Sequence, residues 1–587
     1  MKAKWLVQAK KADFDKMSAK YKIDKVLARI IRNRDLIDDK EINMYLNGDI
    51  NNMYDPFLMK DMEKAIDITI KKINEKKKIR VIGDYDIDGI NSLYILVEGL
   101  MEANASVSGR IPDRIKEGYG INKQIIEEAH NDGIDTIITC DNGIAAIDEI
   151  AYAKELGMTV IVTDHHDIPF CEIDGEKQVI YSNADAIVDP KREDCNYPYS
   201  LLCGAGIAMK FVQALFKKSG FESNHWQKYL EFAAIATVGD IVDLQDENRI
   251  IVKEGLKRLH KTKNYGLNAL MEVNQLEKNS INSYHIGFII GPCLNASGRL
   301  DTAIKAFDML RANDPDNAME LAKILKELND ERKDMTIKEC ERAYELIENS
   351  DIKDDRVLVV YLPNCHESLC GIIAGKIRET YYKPVIVITD AKEGLKGSAR
   401  SIEEYNMFEE LSKIKELMTK FGGHPMAAGM SLERENLDEF RRRLNENTTL
   451  TSEDLTEKIW IDVPMPIDYP TKEFIEQLSV LEPFGKANEK PLFADKNIGI
   501  VRASIIGKNK NVLKLRLVSE RGALVEGIYF GNIEEFESII IEKYGKNQLD
   551  AIYSGMNNNV KIKMIYYPSI NEYNGNETIQ MVIKKFD

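Results

Sequence analysis

Acidic and imidazole side chains recur at three places where a short apolar run has just ended: Asp84, Asp86 and Asp88 in GDYDIDG, Asp141 in CDNG, and Asp164, His165 and His166 in TDHH. In GDYDIDG the alternate positions can face one site if the chain stays partly extended, and Gly89 lets the backbone turn tightly into a helix. Hard divalent cations take oxygens in such arrangements. A calcium loop or a solvated acidic turn would use the same residues, but an EF-hand needs a glutamate at its twelfth position, which is missing here, and a β-rich run precedes the acids. The adjacent histidines, two of only eight in the chain, are more specific. Imidazole beside carboxylates favours manganese, zinc or iron over a pure magnesium site. Asp240 in ATVGDIVDL ends an apolar helical pattern and, taken alone, reads as a surface charge at a helix C-terminus.

These groups lie far apart in the chain, so a scaffold must bring them to one edge. Residues 79–83 (IRVIG), 106–109 (SVSG), 135–140 (DTIITC) and 158–163 (MTVIVT) are β-rich runs separated by helical patterns, which predicts a mainly parallel sheet with crossover helices. Ligands of open parallel sheets bind beyond the carboxyl ends of the strands, where the acids follow. From residue 200 to about 350 the pattern is helical, and the charged amphipathic stretch 318–348 reads as a connecting helix. A second α/β unit follows, with RVLVVYL (356–362), PVIVIT (384–389) and the loops GSARS (397–401) and FGGHPMAAG (421–429). The Pro-rich DVPMPIDYP (462–470) suggests a boundary, and the alternating runs beyond Leu481 predict a small β-barrel of OB type or a sandwich. The expected order is an N-terminal segment (1–50), a first α/β domain (51–315), the connecting helix (316–350), a second, smaller α/β domain (351–455) and the barrel (456–587).

Length and composition agree with several domains. At 587 residues, about 100–200 residues per domain gives roughly three to five. Hydrophobic residues at 44% and charged residues at 30% exclude wholesale disorder. No run reaches the length of a membrane helix, and the first thirty residues lack a signal-peptide stretch, so a cytoplasmic protein is expected. The eight scattered cysteines, with no CxxC pair, read as reduced thiols. The net charge of −16 means that a nucleic-acid partner would need local basic surface. Lys2, Lys4, Lys10, Lys11 and Lys16 make the N-terminus basic, which a helical cap or a strand contact would each explain.

GDYDIDG, CDNG, TDHH and VGDIVDL, in this order, resemble the four motifs of the DHH phosphoesterase superfamily. RIKEGYGIN (114–122), GPCLNASGRL (291–300), HESLCGIIAGKI (366–377), LKGSARS (395–401), FGGHPMAAG (421–429) and LEPFGKANEKPLF (481–493) narrow the resemblance to the bacterial RecJ family of single-strand-specific 5′→3′ DNA exonucleases, over roughly residues 50 to 587. The resemblance implies an α/β fold: a parallel-sheet DHH domain, a connecting helix, a DHH-associated α/β domain and a C-terminal OB-like barrel. It implies a metal-dependent hydrolase that releases mononucleotides in DNA repair and recombination. Its cofactors would be two divalent cations, manganese before magnesium, held by Asp84, Asp86, Asp88, Asp141, His165 and Asp240, with Asp141 bridging and Asp164 orienting a histidine from behind. Two cations about 3.5–4 Å apart acidify a water, align it for in-line attack and neutralise the leaving oxygen.

His166 and Arg299 would join Asp141 in catalysis near the scissile phosphate. Arg114, Ser398 and Arg400 would form a 5′-phosphate pocket, Gly422, Gly423 and His424 a tight phosphate-receiving loop, and Tyr119 a stacking surface, although a packed core tyrosine reads equally well. Lys508, Lys510, Lys514 and Arg516 could line a groove on the barrel or simply a solvated face. The implied partner is single-stranded DNA with a 5′ end, with a single-strand-binding protein or a helicase as candidate protein partners, a monomeric state and no membrane. Some superfamily relatives have a histidine four residues before the first paired aspartate, where this chain has Ile82. Two other readings stand beside this one. One is a phosphodiesterase of short oligonucleotides, bisphosphonucleotides or cyclic dinucleotides, and the other is a catalytically dead scaffold, which the complete set of acids disfavours.

Overall fold

The computed structural model describes residues 3–114, 116–173, 176–507, 509–573 and 575–587, so Lys2 and Lys508 lie outside the described residues. The chain forms two compact units, one of Asp49–Glu457 and one in which Ala3–Gly48 joins Lys458–Asp587.

The larger unit is built on a five-stranded sheet in the order Ser106–Arg110, Lys78–Ile82, Thr136–Cys140, Thr159–Thr163, Ala186–Val188. Every neighbouring pair is parallel. Alternate residues divide between two cores, with Ile79, Val81, Ile138 and Ile161 in one and Ile82, Ile137, Val160 and Val162 in the other. A parallel sheet covered on both faces needs such unbroken apolar strands. The strand order turns at Lys78–Ile82, which has its sequence successors on opposite sides, and the carboxyl ends beside such a switch point leave a crevice.

A 34-residue helix, Pro315–Glu348, follows. Asp314 caps it by accepting from the amides of Asp316 and Asn317, with Pro315 in the first position. Its first half buries Ala318, Ala322 and Leu325 in the first core. Its second half buries Cys340, Ala343 and Ile347 against a second sheet. That sheet runs Lys420–His424, Ala427–Leu432, Leu395–Arg400, Val385–Asp390, Leu358–Tyr361 and is parallel only between its last two strands.

In the smaller unit, Phe493–Ile506, Val512–Val518, Leu524–Tyr529, Asn576–Phe586 and Lys561–Tyr573 pair in sequence around a ring, and Lys561–Tyr573 pairs back to the first strand. The result is a closed barrel and not a sandwich. Residues 3–48, in which no motif was legible, share its core. The strand Lys4–Val7 pairs in parallel with Lys458–Ile461, and Leu27, Ile30 and Ile31 are fully buried among barrel residues. Lys10 donates to the Asn33 carbonyl at 2.9 Å, which ties the basic segment to the end of the helix Lys25–Asn33. Lys514 pairs with Glu526 at 3.2 Å, and Arg516 lies opposite the same Glu526 in the ladder. Among the described residues, no helix is long and apolar enough to cross a membrane.

Candidate metal centre and phosphate pocket

The acids expected at the strand ends converge in the crevice. Asp86 caps the helix Ile87–Glu102, its Oδ1 accepting from the amides of Asp88 at 2.9 Å and Gly89 at 3.1 Å. Asp88 is therefore already helical, and the three aspartates do not share one extended run as the alternation suggested. Gly89 also serves a different purpose from the expected turn. A Cβ there would lie 2.4 Å from the Asp84 carbonyl oxygen, so the glycine is needed because the 84–86 loop folds back onto the first helical turn. Asp88 is fully buried, and its carboxylate accepts from the amides of Gly204 at 2.6 Å and Ala205 at 2.7 Å, which open the helix Gly204–Lys218. The partial positive charge of that helix end helps hold a carboxylate in place.

Asp141 follows Thr136–Cys140 with a left-handed φ of 60°, and its amide donates to the Thr163 carbonyl at 3.1 Å. His165 Nε2 is 3.0 Å from Asp141 Oδ1, 3.5 Å from Asp88 Oδ2 and 3.8 Å from Asp240 Oδ2. Asp240 caps the C-terminus of Leu230–Gly239. Three overlapping groups have donor atoms within 4.8 Å of one another: Asp84, Asp86 and Asp141; Asp88, His165 and Asp240; and Asp141, His165 and His166.

This donor set fits divalent cations. Asp84 Oδ1 is buried without a hydrogen-bond partner. Burial, and then the charge of Asp86 on Asp84 and of Asp88 on Asp141 and Asp240, pushes all three carboxyls well above the usual carboxylate range. Crowded, desolvated carboxylates need compensating positive charge to ionise together. Ile82, at the position where some relatives have histidine, is fully buried and offers no donor, so its neighbours Asp84 and Asp86 would hold the first ion.

Asp164 is the organiser of the histidine pair. Its Oδ1 accepts from the amides of His165 at 2.8 Å and His166 at 3.2 Å and faces His166 Nδ1 at 2.8 Å, while its Oδ2 takes the Ile144 amide at 2.8 Å. Burial opposes protonation of His166, but the hydrogen bond and charge of Asp164 prevail and lift the imidazole to about 9. Tyr119 is 51% exposed, which removes the packed-core reading. Its hydroxyl donates to the Asp141 carbonyl at 2.9 Å, and its ring meets those of Tyr85 and His166 edge-on.

Beside the acids is a cavity of about 340 Å³ lined by Arg114, Arg299, Ser398 and Arg400, as the sequence suggested, and also by Tyr85, Ser368 and Gly371, to which sequence reasoning gave no role. Arg114 stacks on the Tyr85 ring at 4.9 Å. Arg299 donates to the Ser368 carbonyl at 2.9 Å, and Arg400 to Ser398 Oγ at 3.3 Å. Among the described residues, no carboxylate pairs with these three arginines. Burial, and then the charges of Arg114, Arg332 and Arg400, brings Arg299 down to about 10. A Cβ on Gly371 would be 2.8 Å from Arg400 Nη2 and 3.0 Å from Ser398 Oγ, so the first turn of Cys370–Tyr381 is in contact with both. Helix N-termini and unpaired arginines both attract phosphate.

The Gly422–Gly423–His424 segment differs from its expectation. It is not a tight loop but the strand Lys420–His424 in a hairpin, with Gly422 opposite Gly429 and His424 opposite Ala427, so much of its backbone hydrogen bonding is already committed to the ladder. These three residues are exposed and do not line the cavity. Three further residues were missed. Asn142 binds the carbonyls of Ile82 and Cys140 and the Ile121 amide, fixing the Asp141 turn. Gly204 and Ala205 hold Asp88 through backbone groups, which leave no side-chain signature.

The strand-end acids, the paired histidines and the switch-point sheet define a phosphoesterase of the DHH class. The family models agree: the DHH family N-terminal domain matches residues 78–237, the DHHA1 domain residues 354–449 and the RecJ OB domain residues 461–585. The chain is 35% identical to the single-stranded-DNA-specific exonuclease RecJ of Bacillus subtilis over 99% of its own length and 70% of that protein. It is 31% identical to the RecJ of Haemophilus influenzae over 95% of each. The crystal structure of RecJ in complex with Mn2+ from Thermus thermophilus superimposes with a TM-score of 0.79 at 24% identity, covering 100% of this chain and 79% of that one. The chain belongs to the RecJ family of single-stranded-DNA-specific exonucleases.

Proposed function

We propose that the protein degrades single-stranded DNA from its 5′ end and releases 5′-mononucleotides. The observation that carries this reading is that Arg114, Arg299 and Arg400, which pair with no carboxylate among the described residues, line one cavity with Tyr85, the residue between Asp84 and Asp86. A terminal phosphate held by Arg114, Arg400 and Ser398 defines the end of the strand, and only a 5′ end presents one at that distance from the acids.

Asp84, Asp86, Asp88, Asp141, His165 and Asp240 would hold two divalent cations, manganese first, a preference favoured by the imidazole donor; the Thermus protein is known in complex with manganese and with magnesium. Bound there, such ions supply an acidified water and charge neutralisation at phosphorus. The chain's own residues do the rest. Asp164 fixes His166 through Nδ1, leaving Nε2 to contact the scissile phosphate and to hold a proton for the leaving oxygen. Arg299, tied to the Ser368 carbonyl, carries positive charge toward the same phosphate. Tyr119, anchored on the Asp141 carbonyl, closes the space above the centre. We place this activity in cytoplasmic DNA repair and recombination, with the protein acting as a monomer alongside a single-strand-binding protein or a helicase.

Digestion of a long single strand labelled at either end, with manganese or magnesium, tests the reading. Mononucleotides from the 5′ end, lost in Asp141→Ala, are expected. Turnover confined to very short oligonucleotides or cyclic dinucleotides would move the protein to the small-substrate branch, and tight binding without any turnover would make it a scaffold.

A further inference from the structure

Residues 283–300 form one helical rod in three parts: Ser283–His285, a π-helical turn Ile286–Ile290, and Gly291–Leu300. Pro292 explains the wide turn, because it has no amide hydrogen and its ring crowds the carbonyl four residues back, that of Phe288. The middle of the rod rests on the acidic loop. A Cβ on Gly291 would be 3.1 Å from Ile87 Cδ1, and Asn295 Oδ1 accepts from the Ile87 amide at 2.8 Å. Ile87 lies between Asp86 and Asp88. At one end of the rod is Arg299 of the phosphate cavity. Near the other end Tyr284 and Phe288, one turn apart, stack with ring centroids 4.7 Å apart and planes 27° apart. They are 60% and 66% exposed.

Two large aromatic faces left in water one turn from the active-site packing are unusual for a residue pair without a partner. Their surroundings reinforce the point. Gly287 faces Val238 at the end of Leu230–Gly239, and beyond it Ile241, directly after Asp240, is 66% exposed with a left-handed φ of 59°. A β-branched side chain rarely adopts that conformation, and such strain concentrates at functional sites.

We propose that Tyr284 and Phe288 form a stacking platform for bases of the single strand, downstream of the nucleotide being removed. The inference rests on the nuclease reading. Eleven residues of helix place Phe288 about 16 Å from Arg299, so a strand whose 5′ phosphate sits among the arginines and whose backbone crosses the acids reaches the pair within a few nucleotides. Stacking suits this task because every base has a π-face, which holds the strand without reading its sequence.

The test compares two 5′-phosphorylated strands of equal length, one normal and one abasic at several positions just inside its 5′ end, with the wild-type protein and with Tyr284→Ala/Phe288→Ala. On the normal strand the double variant raises KM and the dissociation constant about 5- to 100-fold. On the abasic strand, which the wild type already holds weakly, the substitution changes little, and placing Trp instead of Ala at position 288, as Tyr284→Ala/Phe288→Trp, restores binding of the normal strand. An equal loss on both strands would overturn the proposal, since the pair would then act through the fold or the backbone. Unchanged affinity for both strands would also overturn it and would leave the pair to a protein contact. A wild-type protein inert on every strand would instead remove the nuclease reading, a result separable from the others because it precedes any substitution.

Discussion

The amide of Gly204 donates to Asp88 Oδ2 at 2.6 Å, while a Cβ on the same glycine would stand 2.7 Å from Asp141 Cβ. One residue without a side chain thus both holds one acid of the cluster and allows the next to approach. Gly204→Ala is expected to displace Asp141, lowering activity by about 10- to 100-fold and weakening manganese affinity measured by calorimetry. Full activity would show that the helix start can retreat.

Asp141→Asn separates chemistry from binding. The expected result is a loss of more than about 100-fold in cleavage, with affinity for the single strand nearly unchanged in an anisotropy titration. Burial and the charge of Asp88 hold this carboxyl well above its ordinary range. Without metal, the wild type therefore loses stability as pH rises above the ordinary carboxylate range, where the unfolded chain ionises and the folded cluster resists. In metal-free buffer the variant should melt above the wild type at neutral pH, with the gap closing near pH 4.

Arg400→Ala addresses the end-recognition pocket. Losing one charge-assisted contact worth about 1.5–3 kcal/mol should reduce the preference for 5′-phosphorylated over 5′-hydroxyl strands by roughly 10- to 150-fold. Competition between the two strands reads this directly, and an unchanged ratio would remove Arg400 from the pocket.

Glu231 offers a pH test away from the metal site. It is buried, accepts from Thr262 Oγ1 at 2.7 Å, and burial raises it to about 7 against the opposing Thr262 bond and the Arg258 and Lys278 charges. A raised acid contributes its stability fully below the unfolded value near 4.5 and loses it as pH rises through about 7. Glu231→Gln should therefore flatten the decline in Tm between pH 5 and 8 and gain roughly 2–3 kcal/mol at the alkaline end. Parallel melting curves for the two proteins would refute the assignment.

The acids at the strand ends were legible because each follows an apolar run, and the rules for parallel sheets say what such a position means, whereas Asp240, at the end of a helix, reads alone as a surface charge and was placed only through resemblance. The pocket arginines were legible only through resemblance, since one arginine in a sequence reads as a surface charge. What escaped notice works through the backbone. The amides of Gly204 and Ala205 leave no residue-type signal, and the close approach at Gly89 looks in sequence like an ordinary turn. The Gly422–Gly423–His424 segment was misjudged because two glycines suggest a loop, whereas cross-strand pairing with Ala427–Leu432 overrides that weak local preference.

The N-terminal segment was silent for a different reason, since its partners lie in the last quarter of the chain. During synthesis, Leu27, Ile30 and Ile31 emerge with their apolar sides uncovered, and the residues that bury them are translated only after the intervening unit of about 400 residues. At roughly 5–20 residues per second that is a wait of about 20–80 s. Closing the barrel core thus waits on a segment made long after the residues it has to cover.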